Sequence, residues 1–252
     1  MFGQGFVGKL AFPSANVSDR LEKTFTSVNF NMMIMIIYAL ITIAIFGMWY
    51  YARYEGNFLP SPKKTFNPMM LAAIVILVPG TQFAANFIAN LTGYIRPDWL
   101  QQYNELFETS GITDTTFVTV LYSVILAPIC EELIFRGVTM RCARKALPFA
   151  LANLIQAALF GLFHLNWIQG IYAFALGIVL GYVCERGGSI YYSIGLHLLF
   201  NLWGTLSGFF PDPGNSVVIF VIVIAVTIVS LVVGFVLFNK GRRKLPINST
   251  GI

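Results

Sequence analysis

The residues best equipped for chemistry in this sequence lie in apolar surroundings. Glu131, Glu132 and Arg136 follow Leu126-Ala127-Pro128-Ile129-Cys130 within one apolar run, and the chain's only two histidines, His164 and His197, fall in two others. An ionisable side chain in mid-bilayer costs roughly 2.5–3.5 kcal/mol on insertion scales, so such groups are retained where they pair or act. Glu132 and Arg136 stand four residues apart with the acid first, the favourable order for a helical ion pair. Glu131 is rotated about 100° from Glu132 and has no partner in that register, which leaves it the freer carboxylate. Phe160 precedes His164 by four residues and His197 precedes Asn201 by four, so each pair shares a helical face.

Several chemistries suit this set. A carboxylate beside a histidine can take a proton from water, and side-chain N–H donors can hold the oxygen of a tetrahedral intermediate. Two histidines and a glutamate are also a catalytic zinc set, with a second Glu as base, although the His-Glu-x-x-His spacing is absent. The sequence leaves that zinc alternative open. Cys130 as a nucleophile is weaker, since Cys is a common apolar residue in spans. The bland reading puts the two acids and Arg136 at a solvated helix end, with the arginine snorkelling. Two intramembrane histidines out of two, together with a diacid, favour a site.

The positioning elements must be membrane helices. Of 252 residues, 57% are hydrophobic and 11% charged, against about 25% charged in an average soluble domain. The apolar runs have the length that crosses about 30 Å of hydrocarbon. They place seven spans at about 30–51, 68–93, 116–140, 148–166, 168–184, 189–209 and 215–239. The expectation is an all-α, multi-pass transmembrane bundle, a single membrane domain over 1–252 with a catalytic core of three to four helices at 116–204. Pro97–Phe107 reads equally as a loop or as an interfacial helix with Trp99, Tyr103, Leu106 and Phe107 toward lipid. Gly177 and Gly181 permit close helix approach, chiefly for packing, and Pro79-Gly80 and Pro128 mark kinks.

Charge orients the bundle. Arg53, Lys63, Lys64, Arg141, Arg144, Lys145, Arg186 and Lys240–Lys244 fall on one side of the spans, and Asp98, Glu105, Glu108, Asp114 and Asp212 on the other. The positive-inside rule then gives a multi-pass cell-membrane protein with its C-terminus in the cytoplasm and its N-terminus outside. The N-terminal segment, with Lys9, Asp19, Arg20, Glu22 and Lys23 before the first long apolar run, does not read as a cleaved signal. The net charge of +5 is topology, not a nucleic-acid surface. Cys130, Cys142 and Cys184 make no disulfide framework. Helical rise from Lys145, Pro148 and Arg186 puts Glu131, His164 and His197 within several ångströms of one another in depth, so they can converge.

Taken in order, Glu131-Glu132-xxx-Arg136, Phe160-xxx-His164 and His197-xxx-Asn201 resemble the motifs of the CAAX protease and bacteriocin-processing (CPBP) family. Gly187-Gly188-Ser189-Ile190-Tyr191-Tyr192-Ser193-Ile194-Gly195-Leu196 resembles the family's approach to its last motif. The resemblance implies an intramembrane endopeptidase without a cofactor. Glu131 and His164 would activate water, His197 and Asn201 would stabilise the oxyanion, and Glu132 with Arg136 would fix the first carboxylate. It implies a peptide or lipid-anchored protein substrate in the bilayer, with the short chain closer to the bacterial branch that processes bacteriocin or pheromone peptides. A non-catalytic self-immunity protein and a proton-relay transporter are the competing classes. The first has no need of buried ionisable groups, and the second predicts a spread path and an inverted repeat, neither of which is legible here.

Overall fold

The computed structural model describes residues 28–55, 66–110, 116–207 and 216–243. Among them the regular structure is wholly helical. Helix α1 spans Val28–Tyr50 and runs on as a π-turn to Glu55; α2 is Pro68–Ile95 and α3 Pro97–Ser110. Helix α4 is Phe117–Arg144, α5 Phe149–Phe163, α6 Trp167–Gly187, α7 Ile190–Ser207 and α8 Val217–Arg243. All but α3 coincide with the seven expected spans. The N-terminal cations and acids, Lys63, Lys64, Asp114, Asp212 and Lys244 lie outside the described residues.

Five helices, α1, α2, α4, α6 and α8, are long and apolar enough to cross a membrane. Helix α5 has 15 residues, about 22 Å of rise against about 30 Å of hydrocarbon. Helix α7, 18 residues, carries His197 and Asn201 in place of apolar side chains. Of the seven expected spans, the two that fall short in length or apolarity thus both carry site residues.

Prolines break two helices, and each break is repaired differently. Asn67 caps α2, accepting from the Met69 N–H at 2.8 Å, with Pro68 in the first turn. Pro79 inside α2 has no N–H to give Val75 and crowds that carbonyl. The Gly80 N–H then turns from its ladder acceptor, Ile76 O, to Ser230 Oγ of α8 at 2.9 Å. Ser230 in turn donates to Ile76 O. A neighbouring hydroxyl therefore bridges the opened ladder. This needs a glycine at 80, where a Cβ would stand 2.7 Å from Ser230 Oγ. In α4, Pro128 removes the donor for Val124, and the preceding turns widen to a π-helix over Leu121–Leu126. The Ala127 N–H accordingly reaches back five residues to Tyr122 O. A second π stretch, Leu133–Met140, follows the diacid.

Helices α5 and α6 form a tight hairpin. A Cβ on Gly181 would lie 1.9 Å from Asn153 Oδ1, and one on Gly177 3.1 Å from Ala157, so the Gly-xxx-Gly pair does serve close packing. The turn between them is His164-Leu165-Asn166, with Leu165 in the left-handed region at φ 53° and Asn166 capping α6 through the Gln169 N–H. Pro97–Ser110 is a helix, but two of its expected lipid-facing residues turn toward protein. Trp99 stacks on Trp167 with ring centroids 5.4 Å apart, and Tyr103 is half-buried. The covering partner at 167 was not readable from the segment itself. Leu106 is exposed as expected, and the Phe107 side chain lies outside what is described.

The main apolar core joins α2, α6, α7 and α8 around Leu77, Leu180, Tyr192, Leu196 and Phe238. A second cluster ties α1 to α4, α5, α6 and α7 through Tyr50, Leu133, Ala152, Cys184 and Ile190. The catalytic candidates lie between the two.

Candidate active site

Helix α4 delivers the two glutamates to different environments. The Glu132 side chain is fully buried and its Oε1 accepts from Arg136 Nη1 at 2.7 Å and from His197 Nδ1 at 2.9 Å. The expected i,i+4 pair is present, and the solvated helix-end reading does not hold for these two residues. Arg136, also fully buried, donates through Nη2 to Gly177 O at 3.2 Å and lays its guanidinium 4.5 Å over the Phe160 ring. Two buried atoms of this pair, Glu132 Oε2 and Arg136 Nε, have no hydrogen-bond partner.

Glu131 keeps 16% of its side-chain surface, and its Oε2 stands 3.6 Å from His197 Nε2. That separation suits an ion pair but exceeds a hydrogen bond, and among the described residues the carboxylate accepts no hydrogen bond. Glu131 also lines a cavity of about 20 Å³ shared with Tyr38, Ala39, Tyr122, Ala127, Cys130, Ile134 and Phe163. One water needs about 10–15 Å³ and two or more polar partners.

His197 is buried between the two acids. A carboxylate can only accept, so Nδ1 donates to Glu132 and Nε2 is aimed at Glu131. His164 sits one position past the end of α5 as its C-cap, not inside a span as expected. The helix stops there because the chain reverses at Leu165. Its Nδ1 lies 2.8 Å from Phe160 O; a carbonyl accepts, so Nδ1 donates. No hydrogen bond joins His164 to Glu131 among the described residues. The Phe160 ring meets both imidazoles edge-on, at 5.0 Å for His164 and 5.7 Å for His197. The structural part expected of Phe160 is therefore that of a buried partition holding two histidines and Arg136. Asn201 donates from Nδ2 to Ser123 O at 2.8 Å, tying α7 to the π-turn of α4.

A polar chain continues away from the acids. Gln156 Nε2 donates to Gly177 O at 2.9 Å and to Asn153 Oδ1 at 2.7 Å, and Asn153 Nδ2 donates to Ile178 O at 3.0 Å. Asn153 and Gln156 share one buried face of α5 with Phe160 at helical spacing, the signal by which the sequence could have revealed them. At Gly177 the spacing indicates packing alone. The missing side chain there also opens the carbonyl to two donors.

For a zinc site, the residues present do not assemble a ligand trio. Among the described residues, no group of three His, Cys, Asp or Glu is arranged to hold a metal ion, and both nitrogens of His197 face carboxylates. The three cysteines are free.

A helical membrane bundle enclosing a buried acid pair, two histidines and a water-sized cavity belongs to the class of intramembrane hydrolases. Residues 113–203 match the family model described as Type II CAAX prenyl endopeptidase, Rce1-like. Over that stretch the chain is similar to a family of intramembrane CAAX endopeptidases. The matched stretch contains Glu131, Glu132, Arg136, Phe160, His164, His197 and Asn201. Comparison with curated proteins and with solved structures gives no match.

Proposed function

We propose that the chain hydrolyses a peptide bond of a membrane-anchored protein or peptide with Glu131 as general base. The carrying observation is a Glu131 carboxylate that accepts no hydrogen bond from the described residues and lines a cavity large enough for one water, with His197 Nε2 3.6 Å away. Water attacks the scissile carbonyl carbon while Glu131 takes its proton, and the carbonyl π electrons move onto oxygen. His197, held by Glu132 and doubly protonated, donates Nε2–H to that oxyanion, and the second N–H of Asn201 Nδ2 adds to it. Glu131, Glu132, Arg136 and an imidazolium His197 sum to zero charge, which suits a buried cluster. Collapse breaks the C–N bond, and the proton on Glu131 passes to the leaving amine. His164, whose Nδ1 is held by Phe160 O, shares the proton in transit through Nε2.

The finer reading follows the same line. The whole chain is one membrane domain with 116–204 as its catalytic core, its N-terminus outside and C-terminus in the cytoplasm. Its substrate is a small bacteriocin- or pheromone-like peptide or a CAAX-type protein cleaved near the cytoplasmic leaflet.

The test uses a farnesylated, fluorogenic peptide ending in a Cys-aliphatic-aliphatic-X sequence. Glu131→Gln keeps shape but removes the proton acceptor, so cleavage falls by about 10²–10⁴ with detergent-melting temperature unchanged, and wild-type cleavage survives a chelator. An active Glu131→Gln enzyme would overturn the assignment, as would one bound metal whose return alone restores activity.

A further inference from the structure

We infer that Tyr122 is a further catalytic residue, its hydroxyl donating to the carbonyl oxygen of the bond cleaved at Glu131. The inference rests on the hydrolytic reading above and adds a third donor to it. Tyr122 lines the cavity that contains Glu131, and its hydroxyl hydrogen-bonds to no described residue. Filling that position in an apolar helix requires only a phenyl ring, and the hydroxyl adds to the cavity a donor that no described group uses.

The local backbone is bent to present this residue. Pro128 forces the π-turn Leu121–Leu126, and the carbonyl of Tyr122 is the acceptor of its wide bond from Ala127 N–H. Isolated π-turns recur at functional sites because they rotate side chains out of helical register. The next carbonyl, Ser123 O, takes the Asn201 amide. One proposed oxyanion donor thereby anchors the turn that carries the other. Tyr38 lines the same cavity from α1, but it is 49% exposed and is not held by any comparable contact, so it serves as the control.

The experiment measures kcat, KM and melting temperature with the farnesylated fluorogenic peptide for Tyr122→Phe, Tyr38→Phe and Glu131→Gln. Tyr122→Phe should lower kcat by about 10²-fold, the lower end of the loss of one oxyanion donor, with KM and melting temperature unchanged. Tyr38→Phe should stay within about twofold of wild type on the same scale. Should Tyr122→Phe melt early, 3,5-difluorotyrosine at 122 keeps ring and hydroxyl while donating more strongly, and kcat must then shift without a change in melting. Wild-type kcat in Tyr122→Phe, or no response to the fluorinated residue, overturns the inference. An active Glu131→Gln instead overturns the hydrolytic reading, and the two failures are read from separate variants.

Discussion

Helices α2 and α4 each contain a proline in mid-helix, and the two breaks are closed in opposite ways. At Pro79 a hydroxyl from α8 enters the ladder, so Gly80 and Ile76 are satisfied by a residue on another helix. At Pro128 the helix winds wider, so that the Ala127 N–H reaches Tyr122 O, and the Asn201 amide of α7 donates to the Ser123 carbonyl of the widened turn without entering the ladder between two backbone groups. The first repair locks two apolar helices together. The second leaves the helix intact and re-aims what it carries: Tyr122, then the diacid and Arg136. The surroundings follow the same division. Helix α2 has no acidic, basic or histidine residue, and α8 has its cations only at its end, whereas α4, the end of α5 and α7 bring two acids, one arginine and two histidines around Phe160. A backbone irregularity in a membrane helix therefore acts as a structural clasp or as a means of placing chemistry, depending on what closes it.

The comparison is broken most severely on the α4 side. Glu132→Gln leaves Arg136 buried without its counter-ion, and removing one partner of a buried pair costs about 3–5 kcal/mol. Both melting temperature in detergent and cleavage should fall, unlike Glu131→Gln, which should lose only cleavage. Replacing Glu132 with Gln and Arg136 with Met together should recover part of the stability and none of the activity. A Glu132→Gln protein that melts like wild type would show that the pair is not what holds α4.

On the clasp side the effect should be smaller and of the other kind. Ser230→Ala strands the Gly80 N–H and the Ile76 carbonyl in the interior, a loss of about 1–3 kcal/mol, while kcat per folded molecule stays at the wild-type level. A drop in kcat at unchanged stability would erase the distinction between clasp and site.

The smallest effect is expected at the surface. The hydrogen bond from Arg96 holds the Asp98 carboxyl below its ordinary value of 3.8. Any stability from this pair is thus present above that value and lost as pH falls through the lowered one. Both groups are fully exposed to screening. Asp98→Asn should leave melting temperature and cleavage unaltered at neutral pH, and a measurable change would mean that the α2–α3 corner takes part in more than surface solvation.

What could be read in advance divides along chain separation. The Glu132–Arg136 pair follows from helical spacing alone, and the positions of the long helices follow from the lengths of the apolar runs. The His197 contacts with Glu131 and Glu132 cross more than sixty residues; depth arithmetic could bring them to one level but could not orient a ring. His164 was placed within a span because its neighbours are apolar and no glycine or proline announces the reversal. The αL conformation falls on a leucine, and the available sign was the capping Asn166. The face of α3 was misjudged at Trp99 because an amphipathic pattern shows which side is buried but not what buries it.

The Ser230 bridge has a consequence for the order in which the molecule can be made. Its two ends are separated by 150 residues, so a ribosome that has delivered α2 to the bilayer still has most of the catalytic helices to synthesise before the serine emerges. Until then the second helix carries a gap in its backbone bonding that hydrocarbon cannot fill. The early bundle must therefore wait, loosely joined or shielded by other inserted chains, until a span translated much later completes it.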